Sequence, residues 1–253
     1  MGPGYFGKFP SHGDFISRRL PREGFLDTWD RWLQSAIAAS REQLGEAWLP
    51  TYLTSPVWRF ALSAGICGPS SWAGIMMPSV DSVGRYFPLS LAAELDEIVS
   101  PLQIASSLSA WFVTLEDMAL SALEDPFDLQ EFDRRIATLS IPSLADAIQF
   151  GHGPANGPGS APLYVALDAE QNPAHAYPTI LDQLLRNTYA NYSLWWTSGS
   201  DHVAPCLIAC GGLPPARGYT ALLAGNWSEA GWHIGGEVNA VPNTTQPPAD
   251  EPT

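Results

Sequence analysis

The chain has 253 residues, of which 45% are apolar and only 15% charged, and it carries a net charge of −14. That composition supports a packed core in one large domain or two small ones. It argues against nucleic-acid binding, because an acidic chain repels phosphate backbones.

Three cysteines, Cys67, Cys206 and Cys210, are too few, and odd in number, for a disulfide framework. They suit a reducing compartment. The N-terminus has no basic segment followed by an apolar run, and no window of ~18 apolar residues exists. The expectation is a soluble, cytoplasmic protein. Charge is uneven: residues 101–253 hold sixteen acids and four bases, against ten and eight in residues 1–100. Plain solubility accounts for this, and so does an acidic face for a basic partner. Scarce charge together with ten tryptophans leans toward a surface partly covered by a partner.

In chain order, residues 4–9 predict a short strand, then a loop to about Arg22. From Phe25 to Ala47, the residues Phe25, Trp29, Trp32, Leu33, Ile37 and Leu44 recur at three- and four-residue steps, which predicts an amphipathic helix. Residues 57–67 and 72–78 predict strands around the turn at Gly68-Pro69, and Phe87 to Leu95 a third. Pro101 to Leu123 predicts a helix with its proline at an early position, and Asp128 to Leu139 another. A third helical piece is expected over residues 142–150. Residues 151–162, GHGPANGPGSAP, form a Gly/Pro-rich break. Beyond it are strands at 163–167, 193–197 and 206–210, a helix at 177–187 and a short helix within 214–224. From Asn239 the tail is expected to be disordered. The domain expectation is an N-terminal α/β region over 1–125, a smaller C-terminal α/β portion over 126–238, packed on it or continuous with it, and a tail over 239–253. The fold expectation is α/β: a mixed β-sheet with helices on both faces.

The polar residues offer few routes to chemistry. Ser11, His12 and Asp14 have the types of a nucleophile, base and orienter, but neighbours in sequence rarely point at one another and triads assemble from distant positions. No G-x-S-x-G elbow occurs. A turn held by Ser11 and Asp14 is the plainer reading. His202, Cys206 and Cys210 have a spacing of four, which serves a metal on a helix; Pro205 and the apolar run that follows favour a strand, where it does not. Gly151-His152-Gly153 lacks the Gly-Lys-Ser/Thr of a phosphate loop, and the sole lysine is Lys8. No cofactor or metal is expected. Arg85, before a buried strand, suits an internal ion pair, with Asp14 as one candidate, and equally a clamp on an anionic partner. Of Trp195 and Trp196, adjacent on a strand, one indole should enter the core; the other meets a helix, solvent or a partner.

Several stretches in order, Gly4 to Phe15 (GYFGKFPSHGDF), Trp29 with Trp32-Leu33, Pro56 to Phe60 (PVWRF), Met77 to Asp81 (MPSVD) and Gly84 to Leu89 (GRYFPL), resemble the TagF (ImpM) family of bacterial type VI secretion accessory proteins. Ser193 to Trp196 and Gly212 to Pro215 are similar to its later motifs. The resemblance implies a three-layer α/β sandwich and a non-enzymatic, post-translational repressor. It implies a partner, the forkhead-associated scaffold protein of the secretion system, which the family sequesters. A hydrolase or transferase using Ser11, His12 and Asp14, and a structural assembly adaptor, are the alternative readings. Lys8, Ser11, His12, Asp14 and Arg85 are the polar residues expected to line or brace the partner surface, with Trp195 as an aromatic anchor.

Overall fold

Helix α1 (Asp27–Leu44) begins with Asp27 and Asp30 in its first turn and ends with Arg41 in its last, charges that complement the helix dipole. Its inner face is Trp29, Trp32, Leu33, Ala36 and Ile37, all buried, and a shorter helix, α2 (Trp48–Leu53), follows. The computed structural model describes residues 2–144, 165 and 172–236. The expected break at 151–162, most of the piece at 142–150, all of the strand at 163–167 except residue 165, and the tail from 239 lie outside the described residues.

The strands are β1 (Gly4–Gly7), β2 (Ile16–Arg18), β3 (Trp58–Leu62), β4 (Trp72–Met77), β5 (Leu89–Glu94), β6 (Tyr192–Thr197) and β7 (Cys206–Gly211). They form one sheet in the order β2-β1-β5-β4-β3-β6-β7. Every pairing is antiparallel, so the expected mixed sheet is corrected to an antiparallel one. The reason lies in the connections. Short connections join β1 to β2, β3 to β4, β4 to β5 and β6 to β7, each to an antiparallel neighbour, and the two long helical excursions return the chain to positions where no parallel partner waits.

One face of the sheet packs α1, α2 and the short α7 (Tyr219–Ala224) against Phe60, Leu62, Met76 and Trp195. The other packs α3 (Pro101–Ser107), α4 (Ser109–Ser121) and α5 (Leu129–Thr138) against Tyr5, Ala61, Ile75 and Leu91. The result is the expected three-layer α/β sandwich. Helix α3 begins with a reciprocal cap between Ser100 and Gln103 and with Pro101 in its first turn. Helix α5 begins on Asp128, whose carboxylate accepts from the Gln130 and Glu131 amides. Helix α6 (Tyr177–Thr188) leads into β6 and packs beside α3.

Three charged contacts tie layers together. Arg59 on β3 makes a two-pronged contact with Glu116 on α4, at 2.7 and 2.6 Å. Arg19 and the Tyr5 hydroxyl both donate to Asp133 on α5, at 2.8 and 2.9 Å. Tyr192 and Arg186 share the inward-turned Asp182 of α6.

Candidate functional site

The opening segment and the loop before β5 meet at one corner of the sheet. Gly7 ends β1 with φ +145°, and a Cβ there would lie 2.2 Å from the Pro88 carbonyl oxygen, so glycine is what lets the two segments touch. Beyond it the chain turns, with the His12 amide donating to the Phe9 carbonyl at 3.0 Å. The Ser82 amide donates to the His12 carbonyl at 3.0 Å, and the Arg85 guanidinium donates to the Gly13 carbonyl.

Asp81 is the centre of this corner. One carboxylate oxygen accepts from the Val83 and Arg85 amides at 3.1 and 2.8 Å. The other accepts from Lys8 Nζ at 2.5 Å and Arg85 Nε at 2.7 Å. Gly84, at φ +83°, closes the turn that aims both amides inward. Burial pushes the Asp81 carboxyl up, but the hydrogen bonds from Lys8 and Arg85 outweigh it and hold it well below the usual carboxylate range. Ser79 adds a second brace. Its hydroxyl donates to the Lys8 carbonyl at 2.7 Å, and its carbonyl and amide both bond the Tyr52 hydroxyl at 3.0 Å.

The expected site residues therefore separate. Lys8 is buried against Asp81, with its ammonium 4.2 Å from the Phe15 ring centroid, and acts as a brace rather than a surface group. Arg85 pairs with Asp81, not Asp14; the turn brings residue 85 back onto residue 81, and Arg85 keeps 58% of its side chain exposed. Asp14 is exposed and makes no hydrogen bond or ion pair among the described residues. Ser11 and His12 touch, Oγ to Nδ1 at 2.8 Å, on the rim, and among the described residues no carboxylate bonds the imidazole.

Trp195 is not an anchor. It is fully buried between Trp29, Trp32 and Phe60, with ring centroids 5.2 to 5.7 Å away, and its indole N–H donates to Ser193 at 2.9 Å. The alternation of β6 sends it under α1 and sends the half-buried Trp196 against Phe112 on the opposite face.

Sequence reasoning missed Asp81, Ser79 and Tyr52 as the braces, and Phe15 and Val83 as what the corner presents. Phe15 is 51% and Val83 67% exposed. Phe15 rests on Phe87 at 4.8 Å and on Phe6 at 5.8 Å, while the adjoining Tyr86 reaches the α2 aromatics Trp48 and Tyr52. The Asp81–Arg85 spacing with Gly84 inside was the available signal.

Other features offer no chemistry to the corner. A shallow cleft of about 570 Å3, lined by Thr28, Ile66, Tyr189, Asn191 and neighbours, lies at the opposite end of β4 and holds no acid, base or thiol. Among the described residues no cluster of His, Cys, Asp or Glu could hold a metal, and no helix is long and apolar enough to cross a membrane.

By comparison with known proteins, this layered α/β chain falls among type VI secretion-associated proteins. The family model described as "TagF N-terminal domain, Type VI secretion system-associated" matches residues 4–139. The chain is also similar to the crystal structure of PA0076 from Pseudomonas aeruginosa PAO1, at 32% identity and a TM-score of 0.73, over 95% of this chain and 100% of that one. No curated protein matches it. The chain belongs to the TagF family.

Proposed function

We propose that the protein is a post-translational repressor of type VI secretion that works in the cytoplasm by holding the system's forkhead-associated scaffold component, without bond chemistry of its own. The observation that carries this reading is the TagF match over residues 4–139, which contains the whole braced corner. Lys8, Asp81, Ser79 and Tyr52 fix two loops whose outer side is Phe15, Val83 and Arg85. A rigid apolar tip beside an exposed guanidinium is pre-organised for a protein partner, so little ordering entropy is lost on docking.

The test is capture of the scaffold component by the full chain, paired with secretion assays in deletion and overproducing strains. Val83→Asp, at a position without packing duties, is expected to reduce capture and to release secretion. Unchanged secretion on both loss and overproduction excludes repression. Secretion that falls on deletion supports the adaptor reading instead. The Ser11–His12 contact is the one observation favouring a hydrolase or transferase; a Ser11→Ala, His12→Ala double variant that still represses removes it.

A further inference from the structure

Asp81 answers two cations, Lys8 and Arg85, through a single carboxylate oxygen. Two positive charges on one negative leave one positive charge over. Lys8 is enclosed, so the surplus reaches the surface at Arg85, whose side chain is more than half exposed. In a chain of net −14, an exposed cation that shares its only carboxylate with a second cation is out of character.

The guanidinium is also held in place. Nε donates to Asp81 and Nη2 to the Gly13 carbonyl, so both bonds fall on the side edge of the fork. Nη1 makes no hydrogen bond among the described residues. The end edge remains, with one N–H each from Nη1 and Nη2, and two parallel donors match the two oxygens of a carboxylate. Apolar groups flank it on both loops. Val83, whose amide bonds the same Asp81 carboxylate, stands exposed two residues before Arg85. Phe15, which lies over Lys8, stands exposed two residues after Gly13. Such neighbours exclude water from a contact made between them, and an ion pair shielded from water is stronger than an open one.

We propose, resting on the scaffold-binding reading above, that Arg85 is the specificity-determining residue of the corner. It takes one Asp or Glu side chain of the partner end-on, with an apolar neighbour of that acid seated on Phe15 and Val83. One surplus charge calls for one carboxylate. A dianionic phosphate would exceed it and would meet Asp14, which is exposed beside Gly13 and makes no ion pair among the described residues. A basic partner group would find Asp14 but would also meet the fixed guanidinium, so the corner discriminates by repulsion as well as by attraction. Lysine cannot replace Arg85 in this role, because a point charge cannot hold Asp81 and Gly13 with one edge and the partner with the other.

Calorimetric titration of the full chain with the scaffold component, at low and at high salt, tests this. Arg85→Gln is expected to weaken binding about tenfold to a hundredfold, the range of a hydrogen-bonded charge contact. Arg85→Lys should recover only part of that loss. Both variants disturb the Asp81 pair, so Asp14→Asn gives an independent reading. It removes an exposed acid, touches none of the corner's bonds, and is expected to tighten binding at low salt and less so at high salt. Phosphatase treatment of the scaffold should change nothing. Wild-type binding in Arg85→Gln, full recovery in Arg85→Lys, unchanged or weaker low-salt binding in Asp14→Asn, or binding lost with phosphate removal each overturns this proposal while leaving scaffold binding standing. A wild type that binds no scaffold overturns the functional reading and this proposal together.

Discussion

Replacing Trp195 with alanine separates a core role from an anchoring one. Truncating a fully buried tryptophan costs about 3–5 kcal/mol in transfer and cavity terms. The lost indole bond to Ser193 adds about 1 kcal/mol. The Ser193 hydroxyl keeps its own bond to the Gly212 carbonyl, so the alanine variant orphans no donor there. The sum, roughly 4–6 kcal/mol, is a large share of the ~5–15 kcal/mol that holds a typical domain. For a chain of this size it lowers the unfolding temperature by roughly 10–20 °C. Guanidinium titration and thermal melts followed by near-ultraviolet dichroism measure it, with Trp196→Ala as the half-buried comparison expected to cost less. The folded fraction of Trp195→Ala should still capture the scaffold. A stability loss below about 1 kcal/mol together with lost capture would refute the core assignment.

Asp81→Asn tests the corner through pH. The folded carboxyl titrates below its unfolded value of about 3.9, so its contribution is present above that pH and fades as the pH falls toward the folded value. The gap in melting temperature between wild type and variant should therefore be widest near neutrality and narrow below about pH 4; a gap that is constant with pH contradicts the pairing. Tyr52→Phe removes the group bonded to both the Ser79 carbonyl and amide, at about 1–3 kcal/mol by denaturant titration, and should loosen Val83-dependent capture. Burial pushes the thiol of Cys67 up to about 12 and those of Cys206 and Cys210 to about 11. Thiol titration of the native protein at mild pH should thus be slow, with the half-buried Cys206 first; fast labelling of Cys67 argues against the packing described.

The main layers were legible because their signals are local. The α1 stripe from Trp29 to Ile37 repeats at helical steps, and β3, β4 and β5 are apolar runs bounded by turn residues. What escaped was short or non-local. Strand β2 has only three residues and ends in arginine, so it reads as loop. Helix α2 contains Pro50 and has no repeating stripe, and the break at Leu108 between α3 and α4 leaves no composition mark. Strand direction depends on where excursions return, which no window reveals. At the corner the residue types were legible in Lys8, Asp14 and Arg85, but the partner was not. Arg85 closes on Asp81 through a turn, while Lys8 reaches the same carboxylate across 73 positions. Trp195 and Trp196 were known to face opposite ways; which one met α1 required the register between β3 and β6.

Strand β3 is an interior strand only because β6 lies against it. A fragment cut at residue 139, where the family match ends, would carry β3 as a raw border with Arg59 to Leu62 open to any passing strand. The same cut would strip Trp29, Trp32 and Phe60 of the indole they close around. Such a piece would be sticky before it was informative, so binding experiments on this protein call for the entire polypeptide.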